Sequence, residues 1–208
     1  MHIFNKIVKY IYLKNYQNLQ KLGEKLFFTV NDVERIFGIT HPSAWVLCSR
    51  YVKEGLFIRL KNNFYVLDIN WDKLTLKDFF RISNYTQTPS YISFLTALSY
   101  YSVTTQVQRN FFESTSLKRS KMINAENSTF NFYRINEKLY FGFLKEEDFF
   151  IATPEKAFAD ALYFFSLGRY SLDFDSLDLR KINKKKLVDT IKAFPAGTQN
   201  ICKRICKI

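Results

Sequence analysis

Between residues 26 and 67 the order of local signals restricts the chain to a narrow set of folds. Leu26, Phe27 and Phe28 form a short apolar run. Asn31 has the residue type of an N-cap and Glu34, three positions on, completes a capping-box pattern, which predicts a short helix from Asp32 to Phe37. Gly38 takes positive φ without a Cβ clash and ends it. Thr40 is suited to cap the next helix, whose first turn tolerates Pro42 because early helical N–H groups lack partners anyway. In that helix Ala44, Leu47, Cys48, Tyr51 and Val52 can face inward, leaving Ser43, Ser49, Arg50 and Lys53 outside. Gly55 closes it. Two runs of β formers follow, Leu56–Leu60 and Phe64–Leu67, joined at Lys61, Asn62 and Asn63, where asparagine tolerates the left-handed backbone of a hairpin tip.

Upstream, Ile3, Ile7, Tyr10, Ile11, Leu19 and Leu22 recur near helical spacing with Lys6, Lys9 and Lys14 between them, predicting a basic first helix broken around Asn15 to Asn18. Helix, helix, glycine turn, helix and basic hairpin is the order of a winged helix-turn-helix, in which the third helix enters the DNA major groove. Winged helices also serve as protein-interaction modules, so the fold alone does not establish DNA binding. The candidate DNA contacts are His41, Ser43, Ser49, Arg50, Lys53, Arg59, Lys61, Asn62 and Asn63, because Arg, Lys, Ser and Asn are the side chains that meet phosphates and base edges.

Charge favours the same partner. Lys and Arg number 31 against 19 Asp and Glu, a net +12, which makes a polyanion the first partner to consider. The excess is uneven: 11 basic against 6 acidic residues in 1–74, 11 against 9 in 75–170, and 9 against 4 in 171–208. These cuts define the expected organisation: a winged-helix domain over 1–74, an α+β domain over 75–170 and a basic helical tail over 171–208. Hydrophobic residues at 47% exclude whole-chain disorder. The odd number of cysteines, Cys48, Cys202 and Cys206, matches neither a secreted disulfide framework nor a zinc module and points to a reducing cytoplasm. No secretory leader is evident and nowhere do about 18 uncharged apolar residues run together, so a membrane partner is not expected.

Past residue 74, a helical segment Leu76–Ile82 and a polar stretch Ser83–Thr88 end at Pro89. Ile92, Leu95, Ala97, Leu98 and Tyr101 fit a buried helix face, while Phe111–Thr115, Thr129–Ile135, Leu139–Leu144 and Phe149–Ala152 read as strands. Lys118, Arg119 and Lys121 fall between two of them as a solvated loop or a further phosphate contact. Thr153 is a good N-cap, with Pro154 at the first helical position and Glu155 in the first turn, so structure alone accounts for the TPEK segment. The rival reading is a metal-dependent nucleic-acid-processing enzyme using Glu155, Lys156 and Asp160 with Glu113. Spacing does not favour it, because nuclease carboxylates usually sit on strands. Neither His2 nor His41 has an evident nucleophile or metal ligand beside it, so no catalytic residue, metal ligand or cofactor is expected. In the tail, Lys184, Lys185 and Lys186 open a helix that Pro195 and Gly197 interrupt. Cys202 and Cys206 then lie one turn apart on a final helix.

The segment SAWVLCSRYVKEGLFIRLKNNFYVL, followed by PSYISFLTALSYYSVTTQV from Pro89 to Val107 and ATPEKAFAD from Ala152 to Asp160, resembles the AbiEi family of antitoxins over about residues 25–170. The resemblance implies a non-enzymatic antitoxin and transcriptional autoregulator of a type IV toxin-antitoxin pair linked to phage defence. Its winged helix would bind operator inverted repeats in double-stranded DNA. Its central domain would counteract a nucleotidyltransferase-like toxin, directly or indirectly.

Overall fold

The computed structural model describes residues 15–106 and 108–207. The chain is mixed α+β and divides into two compact units, Met1–Asp78 and Phe79–Ile208. The part of the predicted first helix before residue 15, and His2, lie outside the described residues.

In the first unit α1 runs unbroken through residues 15–23, where a break was expected. Helix α2 (Val30–Phe37) starts two residues earlier than the capping pattern suggested. The capping box belongs to Thr29 and Asp32: the Asp32 carboxylate accepts the Thr29 N–H at 2.9 Å and the Thr29 hydroxyl at 2.8 Å. Starting there sets Val30, Val33 and Phe37 on one buried face. Gly38, at φ 63°, stops the helix and donates its N–H to Glu34 O at 3.0 Å. Helix α3 (His41–Lys53) carries Pro42 in its first turn, but Thr40 makes no side-chain cap bond to the backbone.

Strands β1 (Phe57–Lys61) and β2 (Phe64–Leu67) pair antiparallel, with a register irregularity between Arg59 and Lys61. Phe28 adds a one-residue bridge to Tyr65, exchanging both backbone bonds at 2.8 and 2.9 Å. Leu22, Phe28, Val33, Ala44, Cys48, Phe57 and Tyr65 belong to the core shared by these helices and the hairpin. Each fully buried large apolar side chain there contributes roughly 1.5–3 kcal/mol. A short helix, α4 (Asp68–Trp71), leads into α5 (Leu76–Thr86), which continues past the expected end at Ile82 into the polar stretch as far as Thr86.

The second unit is a six-stranded mixed sheet with helices on both faces. Its strands are β3 (Ser90–Ile92), β4 (Phe111–Ser116), β5 (Lys121–Ala125), β6 (Ser128–Arg134), β7 (Phe143–Glu146) and β8 (Phe149–Ala152), in the order β5-β6-β4-β3-β8-β7. The pairs β3–β8 and β4–β6 are parallel and the rest antiparallel. Alternation along β4 assigns the faces. Phe112 stacks on Phe79 of α5 at 4.8 Å and Ser114 bonds Ser83 of α5 at 2.8 Å, whereas Glu113 and Thr115 point to the other side. That other side carries α6 (Phe94–Tyr100) and α7 (Pro154–Ser166), against which α8 (Lys184–Ile191) and α9 (Ala196–Cys206) pack.

Several sequence expectations change in this unit. Ile92 lies in β3 and not on a helix face, because Pro89 opens a strand. Strand β5 forms where a loop was expected after Arg119, and Lys121 sits in it with its ammonium 5.6 Å from the centre of the Phe132 ring. The Leu139–Leu144 segment begins as a 3-10 turn over Glu137–Leu139, and β7 starts only at Phe143. The tail is part of the second compact unit, and that unit begins at Phe79, four residues past the expected cut.

Candidate nucleic-acid interface

Helix α3 sorts its side chains by period. Ala44, Cys48 and Tyr51 are buried, Leu47 and Val52 are half-buried, and Ser43, Val46, Ser49, Arg50 and Lys53 are exposed in a single stripe. Burial pushes the Cys48 thiol up to about 11, so it packs as a small apolar group and not as a nucleophile. Arg50 stands 3.8 Å from Glu54 one turn on, and its guanidinium carbon lies 5.4 Å from the centre of the Tyr51 ring. Both partners of the Arg50–Glu54 pair are more than half solvated at their side chains or close to it, and such surface pairs hold a side chain only weakly. Arg50 can therefore turn outward at little cost.

The other predicted contacts separate into two groups. Arg59 and Asn62 are exposed on the hairpin, beside the half-buried Lys61, whose ammonium lies 5.3 Å from the centre of the Phe64 ring. Asn63, at φ 57°, has its Oδ1 accepting the Val30 N–H at 2.7 Å, which satisfies an otherwise orphaned donor at the start of α2. His41 is likewise engaged: Nδ1 meets Glu34 Oε2 at 2.7 Å and Nε2 accepts the Trp45 indole N–H at 3.1 Å. Ser43 shares a hydrogen bond with Thr40 at 2.9 Å. Sequence reasoning passed over Val46, which is 68% exposed in the middle of the outer stripe. Its spacing of three from both Ser43 and Ser49 was the available signal, overridden by its apolar character.

The carboxylates and lysine of the rival enzyme reading lie in the second unit. Lys156 and Asp160, one turn apart on α7, are fully buried and paired with each other. Asp160 Oδ2 also accepts from Ser93 at 2.8 Å, Tyr91 at 3.0 Å and Thr115 at 3.3 Å. The Lys156 ammonium donates to Tyr91 Oη at 2.8 Å and lies 5.2–5.3 Å from the ring centres of Tyr91, Phe141 and Phe194. Burial pulls its pKa down, opposed by Asp160. Glu155 Oε1 accepts the Asn183 N–H at 3.0 Å. Glu113 faces Tyr170 and Tyr133. These groups bond one another and the chain, and among the described residues no group of three or more His, Cys, Asp or Glu is placed to hold a metal ion. No helix among the described residues is long and apolar enough to cross a membrane. No protein-family model matches the chain, and no curated protein matches its sequence.

Proposed function

We propose that this protein is a cytoplasmic DNA-binding antitoxin and autorepressor of the AbiEi type. Its first unit would act as a winged helix on inverted repeats of its own operator, and its second would counteract a nucleotidyltransferase-like toxin. The supporting observation for DNA binding is the outer stripe of α3, where Ser43, Val46, Ser49, Arg50 and Lys53 stand exposed while the inner stripe anchors the helix to the core. This stripe offers several of the groups that meet DNA: a guanidinium for guanine, hydroxyls that can donate or accept, an ammonium for phosphate and an isopropyl group for the thymine methyl. The hairpin adds Arg59 and Asn62 on the same unit. The toxin-directed role rests on the resemblance alone.

A mobility-shift titration with DNA from upstream of its own gene tests the first part. The wild-type protein should prefer that DNA over random duplex. Arg50→Ala should lose about 1–3 kcal/mol on the specific site and little on random DNA, while Lys53→Ala should weaken both alike. Absence of binding at low salt would reject the repressor reading, and equal loss on both DNAs would remove Arg50 from base readout. Rescue of growth by co-expression with an adjoining nucleotidyltransferase gene tests the second part.

A further inference from the structure

The second unit contains a cavity of about 350 Å³ with two differently built walls. One is the face of the β7–β8 hairpin carrying Phe143, Lys145 and Phe150, in which Lys145 lies directly across from Phe150. The other is the C-terminal end of α5 and the following turn, with Asn84, Tyr85, Thr88 and Ser90. Pro89, Tyr140 and the carboxylate-bearing Asp148 complete the lining. Asn84 ties the walls together, because its Oδ1 accepts the Phe150 N–H at 2.6 Å.

The aromatic side is fixed in place from behind. Phe143 stacks on Tyr91 at 4.6 Å with only 15° between the ring planes, and Tyr140 packs on the same ring at 5.1 Å. The Tyr91 hydroxyl is held between Lys156 at 2.8 Å and Asp160 at 3.0 Å. Between the two wall residues Gly142 takes φ 72°, and a Cβ there would lie 3.0 Å from Lys156 Cγ, so any larger residue would be strained and crowd the buried lysine behind the wall. At the mouth, Tyr85 and Phe150 keep 49% and 40% of their surface exposed.

Two lining residues carry an unmet hydrogen-bonding demand. Asn84 and Ser90 are 8% and 4% exposed, and neither Asn84 Nδ2 nor Ser90 Oγ has a partner. Buried polar atoms without partners are rare and call for a physical account. With Oδ1 committed to Phe150, Asn84 has only donors left and needs an acceptor. An aliphatic chain would leave both atoms unmet, and an indole or phenyl ring offers Asn84 no acceptor. A planar base offers a π-face to the aromatic residues and an acceptor edge to the amide and hydroxyl. Lys145 supplies a cation for an attached phosphate.

From this we infer that the cavity is a binding site for a nucleobase, either on a free nucleotide or unpaired in a nucleic-acid strand. The site stands apart from the DNA-reading proposal, since every lining residue belongs to the second unit. Calorimetric titration of the whole protein with the ribonucleoside monophosphates, their nucleosides and short single-stranded RNA tests it. Saturable binding is expected for at least one of these. Phe150→Ala should weaken it about fivefold or more, the loss of one stacked base face, and Ser90→Ala should change the ranking of bases while leaving the circular dichroism spectrum intact. Arg59→Ala, in the first unit, should change nothing. Binding of monophosphates identifies the free nucleotide as the source. Binding of RNA alone, weakened by both cavity variants, identifies an unpaired base. Absence of saturable binding at millimolar ligand, or binding that neither Phe150→Ala nor Ser90→Ala alters, overturns the inference.

Discussion

Glu113 is a carboxyl group on the inner face of β4, 1% exposed, accepting from the Tyr170 hydroxyl at 3.0 Å and the Tyr133 hydroxyl at 3.5 Å. Burial is the largest influence on it and raises its pKa from 4.5 to about 7, against the opposing hydrogen bonds from Tyr170, Tyr133 and nearby backbone. The folded state then keeps a proton that the unfolded state has already released. Stability from this group is fully present below pH 4.5, declines as pH rises through the interval to about 7, and is constant above it. Over that interval the loss is about 3 kcal/mol, at about 1.4 kcal/mol per pH unit. Glu113→Gln should flatten that part of the curve of urea midpoint against pH. Identical curves for the two proteins between those limits would show that Glu113 is not the titrating group. Asn63 carries another residue-scale lesson: its type and position at a hairpin tip suggested a DNA contact, yet its side chain closes the start of α2.

At the scale of elements, α7 shows how one short segment can serve packing throughout. Thr153 caps it by accepting the Lys156 N–H at 3.3 Å, Pro154 sits in its first turn, and its run from Glu155 to Leu162 is buried all round. A helix buried on every side must satisfy whatever charge it carries, and Lys156 and Asp160 do so mutually. Their dependence on each other is unequal. Without Lys156, Asp160 still receives three hydroxyl donors, whereas without Asp160 the ammonium keeps only Tyr91 and three ring faces. Asp160→Leu should therefore cost about 3–5 kcal/mol, the range for leaving a buried charge unpaired, and Lys156→Met should cost less. Urea unfolding of the two variants checks the order, and a larger loss for Lys156→Met would contradict it.

At the scale of the whole molecule, 12 excess positive charges bear on how the proposed DNA complex responds to salt. Each phosphate neutralised releases counterions, so the logarithm of affinity should fall linearly with the logarithm of salt concentration, at a slope near 0.9 per contact. Lys53→Ala should lower that slope by about 1 on specific and random duplex alike. A slope unchanged by Lys53→Ala would place the phosphate contacts elsewhere. Much of the first unit was legible as sequence because its signals are local: Gly38 needs no distant partner to end a helix, and the period of α3 sorts Ala44 and Cys48 from Ser49 and Lys53 by itself. The cap was misplaced from Thr29 to Asn31 because both residues suit the position, and burial of Val30 and Val33 decides between them. In the second unit the TPEK helix start was readable for the same local reason. Strands β3 and β5 were not, because short segments around Pro89 and Lys121 become strands only by pairing with β4, β8 and β6. The sequence by itself determined the alternation of helix, turn and hairpin, the basic outer stripe and the α+β character, since these follow from backbone preference and residue period. Only the tertiary structure decided that Lys156 meets Asp160 inside an aromatic cage and that Asn84 and Ser90 line a single cavity, because those meetings depend on sheet order, which brings residues far apart in the chain into hydrogen-bonding reach.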